Sequence, residues 1–366
     1  MRAPSLEVDA MDERLTVATL DSPSCPVGER IGSIIGSGNS SGLDILSISS
    51  NSLTDGLWLL ESGDADILAL PGGLVHGNMM EILQSGCNVV GARTPVRPYP
   101  VLVSDNKIQY QPKSAILLCD NKLNRRQVRR SRGGLRVLDP DAFASILGIE
   151  AGPSDPLMKA KWMEDLRRAG EIDGFVIPRG VYEGANLVSR RHSLLPDGMN
   201  EGDPVFLPPA YSDLIVLLAR NRFPKSISKE ISEREGETCW WVQNSMLGSL
   251  DPEMLEKIGV LVRHRQVRSL IKQAEATRDL TLEQVCLDPD GEVIEDEVHV
   301  EIRLEFVSKG GARTIGLHRV IRHSDYERAT IASLRDWETM IKEVSRDVPK
   351  DFHTDPESPP FISLDE

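Results

Sequence analysis

The chain has 366 residues, with 56 acidic side chains against 42 basic ones and a formal charge of −14. That length supports two or three compact domains around a sizeable core, which excludes a small fold stapled by disulfides. The charge excludes a surface that is wholly a polyanion footprint, so any contact with nucleic acid or an anionic membrane has to be local.

Residues 1–25 mix acidic and small polar types with Pro4 and Pro23, and residues 348–366 hold Pro349, Pro356, Pro359 and Pro360. Both ends are expected as flexible segments outside the core. Between them strand and helix signals alternate, the pattern of α/β sheets with crossover helices. Arg30–Ile35, Leu43–Ile48 and Asp66–Leu70 are predicted strands, and Leu53–Glu61 is an apolar-striped helix that ends near Gly63. Met79–Leu83 is predicted helical and closed by Gly86, with Asn88–Ala92 as the next strand. Pro95, Pro98 and Pro100 then impose an extended crossover into Val101–Val103.

A second set of strands, Ala115–Cys119, Leu135–Leu138 and Gly174–Ile177, is separated by helices that begin near Leu123 and Met158. From Val298 to Phe306 the even positions are apolar and the odd ones polar, which predicts a half-buried antiparallel strand. Lys309, Gly310 and Gly311 turn the chain into Thr314–Ile321. Ser324 with Glu327 forms a capping box for a helix striped by Ile331, Leu334, Trp337 and Ile341. This last region reads as α+β.

The longest apolar runs, such as Leu214–Ala219, are too short to span a bilayer, and the N-terminus has no charged lead before an apolar region. A soluble cytoplasmic protein is expected. Cys25, Cys87, Cys119, Cys239 and Cys286 are scattered without a CxxC pair and read as reduced, buried thiols. His318 and His323 stand five apart, and no spacing of histidine and cysteine predicts a metal site.

Residues 121–136 carry Lys122, Arg125, Arg126, Arg129, Arg130, Arg132 and Arg136 with no acid among them. In a helix, Arg125 and Arg129 share one face, as do Arg126 and Arg130, so these pairs can grip carboxylates or phosphates. Like charges at this density call for an anion or an ion-pair network, which favours an anion site over a merely solvated helix. RNA is a weaker reading of the segment, because rings make up only 5% of the chain and none interleaves with the basic residues. The stretch GSIIGSGNSSG over Gly32–Gly42 lacks the ending of a Walker loop and the spacing of a dinucleotide turn, so it is expected as a flexible loop. Pro71, Gly72 and Gly73 end a predicted strand, where open α/β sheets bind ligands, and read equally as a cleft wall or a connecting turn. Asp64 and Asp66 read as solvated.

Taken in order, LLESGDADILAL (Leu59–Leu70), TPVRPYPVLVS (Thr94–Ser104), LNRRQ (Leu123–Gln127, against SLRRQ), AGEIDGFVI (Ala169–Ile177) and the place of Pro209–Leu218 resemble the porphobilinogen deaminase (hydroxymethylbilane synthase) family. The likeness runs from about Arg30 to Val344. It implies an α/β fold of two doubly wound, periplasmic-binding-protein-like domains plus a small α+β C-terminal domain. The division is then a first domain of 26–104 plus about 205–224, a second, cationic-cleft domain of 105–204 and a third of 225–347. The resemblance implies a monomeric cytoplasmic transferase of porphyrin and heme biosynthesis that condenses porphobilinogen into a linear tetrapyrrole on a dipyrromethane cofactor. Arg125 and Arg126 match the double-arginine position that binds the carboxylates of substrate and cofactor.

The other functional positions depart from that pattern. Gly73 and Leu74 stand where the family has its Lys-Asp pair, and Ile34 falls near its early arginine. Only Lys159 and Lys161 lie near its Arg-Gly-Asn motif, and Ser212, Asp213 and Leu214 replace GQG. Thr277 falls near the anchoring cysteine, with Cys286 and Cys239 as displaced alternatives. A threonine hydroxyl has no reactivity comparable to a thiolate, so no catalytic residue is assigned. The alternative is a non-catalytic relative that binds a small polycarboxylated ligand, or a partner, in the same cleft.

Overall fold

The computed structural model describes residues 14–36, 44–197, 204–248, 250, 252–288, 290–294 and 297–345. Residues 1–13, 346–366 and 37–43, which hold most of the expected flexible ends and part of the glycine-rich stretch, lie outside the described residues. In chain order the first part contains β1 (Arg14–Leu20), α1 (Val27–Gly36), β2 (Asp44–Ser50), α2 (Leu53–Ser62), β3 (Ile67–Pro71), α3 (Gly72–Gly77), α4 (Met79–Gln84) and β4 (Cys87–Arg93). Then come β5 (Val101–Ser104), β6 (Ile116–Cys119), α5 (Lys122–Ser131), β7 (Arg136–Leu138), α6 (Pro140–Leu147), α7 (Pro156–Ala169), β8 (Gly174–Ile177), α8 (Arg179–Gly184) and β9 (Arg191–Ser193). The chain continues with β10 (Ile215–Arg220), α9 (Lys225–Ile231), α10 (Arg234–Leu247), α11 (Pro252–Leu255), β11 (Ile258–Gln266), α12 (Val267–Thr277), α13 (Leu280–Val285), β12 (Val298–Val307), β13 (Thr314–Arg322) and α14 (Tyr326–Val344).

The strands make three sheets, ordered β2-β1-β3-β10-β4, β7-β6-β8-β5-β9 and β11-β12-β13. The first two mix parallel and antiparallel pairs and are joined by crossover helices, and the third is antiparallel. The fold is α/β, with two lobes each built on a mixed sheet and a smaller α+β part. The chain crosses from the first sheet to the second between β4 and β5 and returns between β9 and β10. Asp213 ties the two crossings together: its Oδ2 accepts from the Val96 and Arg97 amides at 2.8 and 2.6 Å, and Arg30 stands 3.3 Å away.

Three expectations are corrected. Residues 14–20 are not part of a flexible end but form the inner strand β1, whose Val17 and Ala18 are fully buried. Arg30–Ile35 is not a strand but lies in α1. Val27, Ile31 and Ile34 recur at helical spacing, and Asp21 Oδ1 accepts from the Gly28 amide at 2.7 Å just before them. The capping box at Ser324 does not form: Ser324 Oγ bonds Asp325 Oδ2 at 3.2 Å within a 3₁₀ turn, and α14 begins after it. That helix buries Thr330, Ser333 and Trp337 while Ile331 stays exposed.

The alternating strand β12 is paired on both sides, by β11 and β13, and is buried on both faces. Val300, Ile302, Leu304 and Phe306 enter the core with Trp337 and Ile315. His299, Glu301 and Glu305 are buried as well, because α5, the segment leaving β9 and, at His299, the end of α13 cover the other face. A polar row predicted to meet water meets protein instead.

Candidate functional site

The C-terminal ends of β1, β6 and β8 lead into the loops 21–26, 120–121 and 178, and open α/β sheets hold ligands at such ends. A cavity of about 530 Å³ lies there. Pro23 and Ser24 from the first lobe close one side, and α5 and α7 of the second lobe supply Asn124, Arg125, Lys159 and Met163. Its apolar wall includes Val176, Ile177 and Val181. The two lobes touch at this point: a Cβ on Gly180 would stand 2.5 Å from the Ser24 carbonyl oxygen, so only glycine permits the approach.

The helix α5 starts at the cavity because Asn121 caps it, accepting from the Asn124 amide at 2.9 Å. The positive end of the helix therefore faces the space. Lys122 pairs with Glu256 at 2.8 Å across the mouth. Arg125 is held by Asp139 and by the Cys119 and Asp120 carbonyls, at 2.9 and 3.1 Å, and lines the cavity.

Lys159 differs from these. Its side chain is only 13% exposed, yet the nearest carboxylate oxygens, on Asp120 and Asp141, stand 3.7 and 3.8 Å from Nζ. Both acids lie largely in water, at 64% and 56% exposure. A nearly buried ammonium facing a cavity thus has only long, loose partners.

Arg126 does not reach the cavity. Its Nη1 donates to the Val307 carbonyl at 2.8 Å, and its guanidinium stands 5.7 Å from the Phe306 ring centroid. Arg129 donates to Lys309 O at 3.0 Å and Arg130 to Glu305 at 2.7 Å, so three of the seven cations grip the third sheet. The double-arginine position is split between the two sides of one helix. Asn124 was missed as a site residue. Its one signal is that asparagine stands where SLRRQ has leucine.

No family model and no curated protein matches the chain. Solved structures do. A periplasmic substrate-binding protein of an ABC transporter from Coxiella burnetii is 14% identical over 63% of this chain and 95% of that chain, with a TM-score of 0.33. A nutrient-binding protein from Burkholderia cenocepacia bound to methionine is 15% identical over 59% and 89%, with a TM-score of 0.32. Immunogenic lipoprotein A from Vibrio vulnificus is 14% identical over 62% and 98%, with a TM-score of 0.31.

These are substrate-binding proteins and a lipoprotein, none of them a porphobilinogen deaminase, so the expected synthase of porphyrin and heme biosynthesis is left without support from any comparison. The first and third of these are titled as periplasmic and as a lipoprotein, and the expected cytoplasmic setting finds no support among them. Among the described residues no helix is long and apolar enough to cross a membrane.

The side chains argue the same way about the dipyrromethane cofactor. Thr277 closes α12 with its hydroxyl donated to the Gln273 carbonyl at 2.9 Å. Cys239 and Cys286 are buried, donate to the Val262 and Leu282 carbonyls at 3.1 and 3.5 Å, and have thiol pKa values pushed up by burial. None of the three offers the accessible thiolate that a thioether anchor requires.

Proposed function

We propose that the protein is a non-catalytic binder of a small organic acid, held in the cavity at the start of α5 and enclosed by the 21–26 loop. The observation that carries this is Lys159, whose nearly buried ammonium faces about 530 Å³ of space with no carboxylate closer than 3.7 Å. A charge kept in a low-dielectric wall is stabilised most by an anion that reaches it directly. The start of α5 adds partial positive charge, and Arg125, fixed by Asp139, adds a positioned edge. The volume lies within the range of small-molecule sites. Lys122 and Arg125 already hold acids of the protein, so the arrangement supports one anionic group on the ligand rather than several. The sheet orders support two lobes near the expected 26–104 with about 205–224 and 105–204, with β1 added to the first and β5 (Val101–Ser104) moved to the second.

The test is calorimetric titration of the full chain with a panel of small mono- and dicarboxylic acids, in parallel with thermal unfolding. At least one monocarboxylic acid is expected to bind and to raise Tm as its concentration exceeds Kd. Lys159→Met is expected to weaken it by about tenfold or more, the worth of a charge-assisted contact. Acids that leave Tm unchanged, or bind equally to wild type and variant, refute the reading.

A further inference from the structure

The three sheets end on β2, β4, β7, β9, β11 and β13, and all of these edges but β2 are guarded. Residues 232–233 cover the outer side of β4, with the Ala92 amide donating to Ser232 Oγ at 3.1 Å and the Glu233 amide to the Ala92 carbonyl at 2.9 Å. β11 donates outward from the Val260 and His264 amides, to Pro208 O at 2.8 Å and Glu235 Oε1 at 2.7 Å. β13 bears the exposed His318 and Arg319, and β7 and β9 are three residues long. Covering, charge and shortness are the means by which a sheet edge is kept from pairing with another chain.

β2 has none of them. It pairs with β1 over seven residues, and among the described residues no main-chain hydrogen bond is made on its other side. After Asp44 it reads ILSISS, without charge or proline. Ile45 packs in one cluster with Ile31 of α1, and Ile48 against the cluster of Leu57 and Leu60 of α2, so the free edge lies between two helices. Leu46 shares the Ile48 face and is 37% exposed, and Trp58 on α2 is 60% exposed. The exposed charges on α1, β2 and α2 are Glu29, Asp44, Asp55 and Glu61, because Arg30 is turned inward to the Thr94 carbonyl and Asp213. No lysine or arginine occurs from Ile31 to Ala92, and Arg14, opposite Asp44 in register, stands alone against these acids on the neighbouring strand.

From this juxtaposition we infer that the outer edge of β2 docks an extended, basic segment of another protein. The main chain of that segment adds a sixth strand to the first sheet, its apolar residues lie along Leu46, and its lysines or arginines meet the surrounding acids. Charge selects this occupant. A second copy would set the acids against themselves in a chain of charge −14, and the chain's own residues 1–13 bring Glu7, Asp9, Asp12 and Glu13 against Arg2. None of the edge residues lines the acid-binding cavity, so the two surfaces are separate.

The probe is the capped heptapeptide KVKVKVK, titrated into the full chain by calorimetry, with hydrogen-exchange mass spectrometry to locate the contact. It is expected to bind, to slow amide exchange over residues 44–50, and to bind more weakly as salt rises. EVEVEVE, and KVKVKVK N-methylated at two successive residues so that each of its edges loses a donor, are expected to bind about tenfold more weakly or worse. Leu46→Lys gives β2 the kind of guard that β13 has and is expected to weaken KVKVKVK about tenfold. Ser49→Lys, also at an exposed position, repeats the test should the first variant fold poorly. Equal binding of the N-methylated peptide, protection that falls outside 44–50, or no binding of KVKVKVK overturns the inference. So does a wild-type dimer in sedimentation that Leu46→Lys dissolves, since the edge would then belong to a second copy.

Discussion

Of the places in the described residues where cations gather near carboxylates, Glu301 and Lys159 mark two that are built differently. At Glu301 in β12 the carboxylate is 1% exposed and receives Arg263 and Arg265 at 2.7 and 2.8 Å, with Arg303 and His318 on its other oxygen at 2.5 and 3.0 Å. Asp197, on the segment leaving the second lobe, joins Arg263 and Arg303 at 2.8 and 3.0 Å. At the cavity Lys159 waits more than 3.6 Å from acids that are themselves mostly solvated. The first cluster pairs every cation closely with a carboxylate, so it joins elements. The second has space and a loosely held charge, which is what a site for an outside anion needs.

One helix shows both arrangements. Its start lines the cavity through Lys122, Asn124 and Arg125. Its later turns dock on the third sheet through Arg126, Gln127 and Arg130, with Gln127 donating to the Leu207 carbonyl at 2.9 Å. The docking holds the cavity end in place, because a helix is stiff over a distance of ten residues.

The comparison can be broken most forcefully at Glu301. Glu301→Gln leaves three half-buried guanidinium groups short of charge and is expected to destabilise the fold by about 3–5 kcal/mol in urea unfolding. A loss under about 1 kcal/mol would show that the cluster does not join the elements. Next in size is Gly311, whose φ is +76° and whose added Cβ would stand 2.7 Å from the Arg130 amide nitrogen. Gly311→Ala is expected to cost about 1–3 kcal/mol through backbone strain and the lost fit against α5.

Acid should separate the groups further. Burial, with His323 and Arg234 nearby, lowers the His264 pKa from 6.5 to about 4. The unfolded chain takes up that proton first, so stability is expected to fall as pH drops from about 6.5 to 4, and His264→Gln should flatten this part of the profile. Burial opposes ionisation of Glu301, but His318, Arg263 and Arg303 outweigh it and hold its carboxyl well below the usual range. Its contribution is present above the ordinary carboxylate pKa and is lost only as pH falls beneath it, below the His264 window. The smallest effect is expected at Lys159: Lys159→Met should leave urea stability within about 1 kcal/mol, because it removes a desolvated charge without orphaning a close partner. A large loss there would place Lys159 with Glu301 as a structural charge.

Much of the fold was legible locally. The strands at β3, β4, β5, β6, β7 and β8 and the helices α2, α4, α5 and α7 follow from apolar runs, periodicity and glycine or proline punctuation, which act over a few residues. β1 was not, because its alternation sat in a segment whose neighbouring acids and prolines read as flexible. The basic segment of residues 121–136 was also visible as an anomaly, but not its division between two partners.

By itself the sequence determined the α/β class, the crossover between lobes at Pro95–Pro100 and the concentration of positive charge on one short helix, all properties of near neighbours in the chain. Only the tertiary structure decided which way each charge points. Arg125 and Arg126 are adjacent in sequence but lie about 100° apart around a helix, so one meets the cavity and the other meets Val307, 181 residues away. The same holds for the polar row of β12 and for the loose ion pairs of Lys159. Each depends on what a distant segment brings to that face, and no local pattern encodes it.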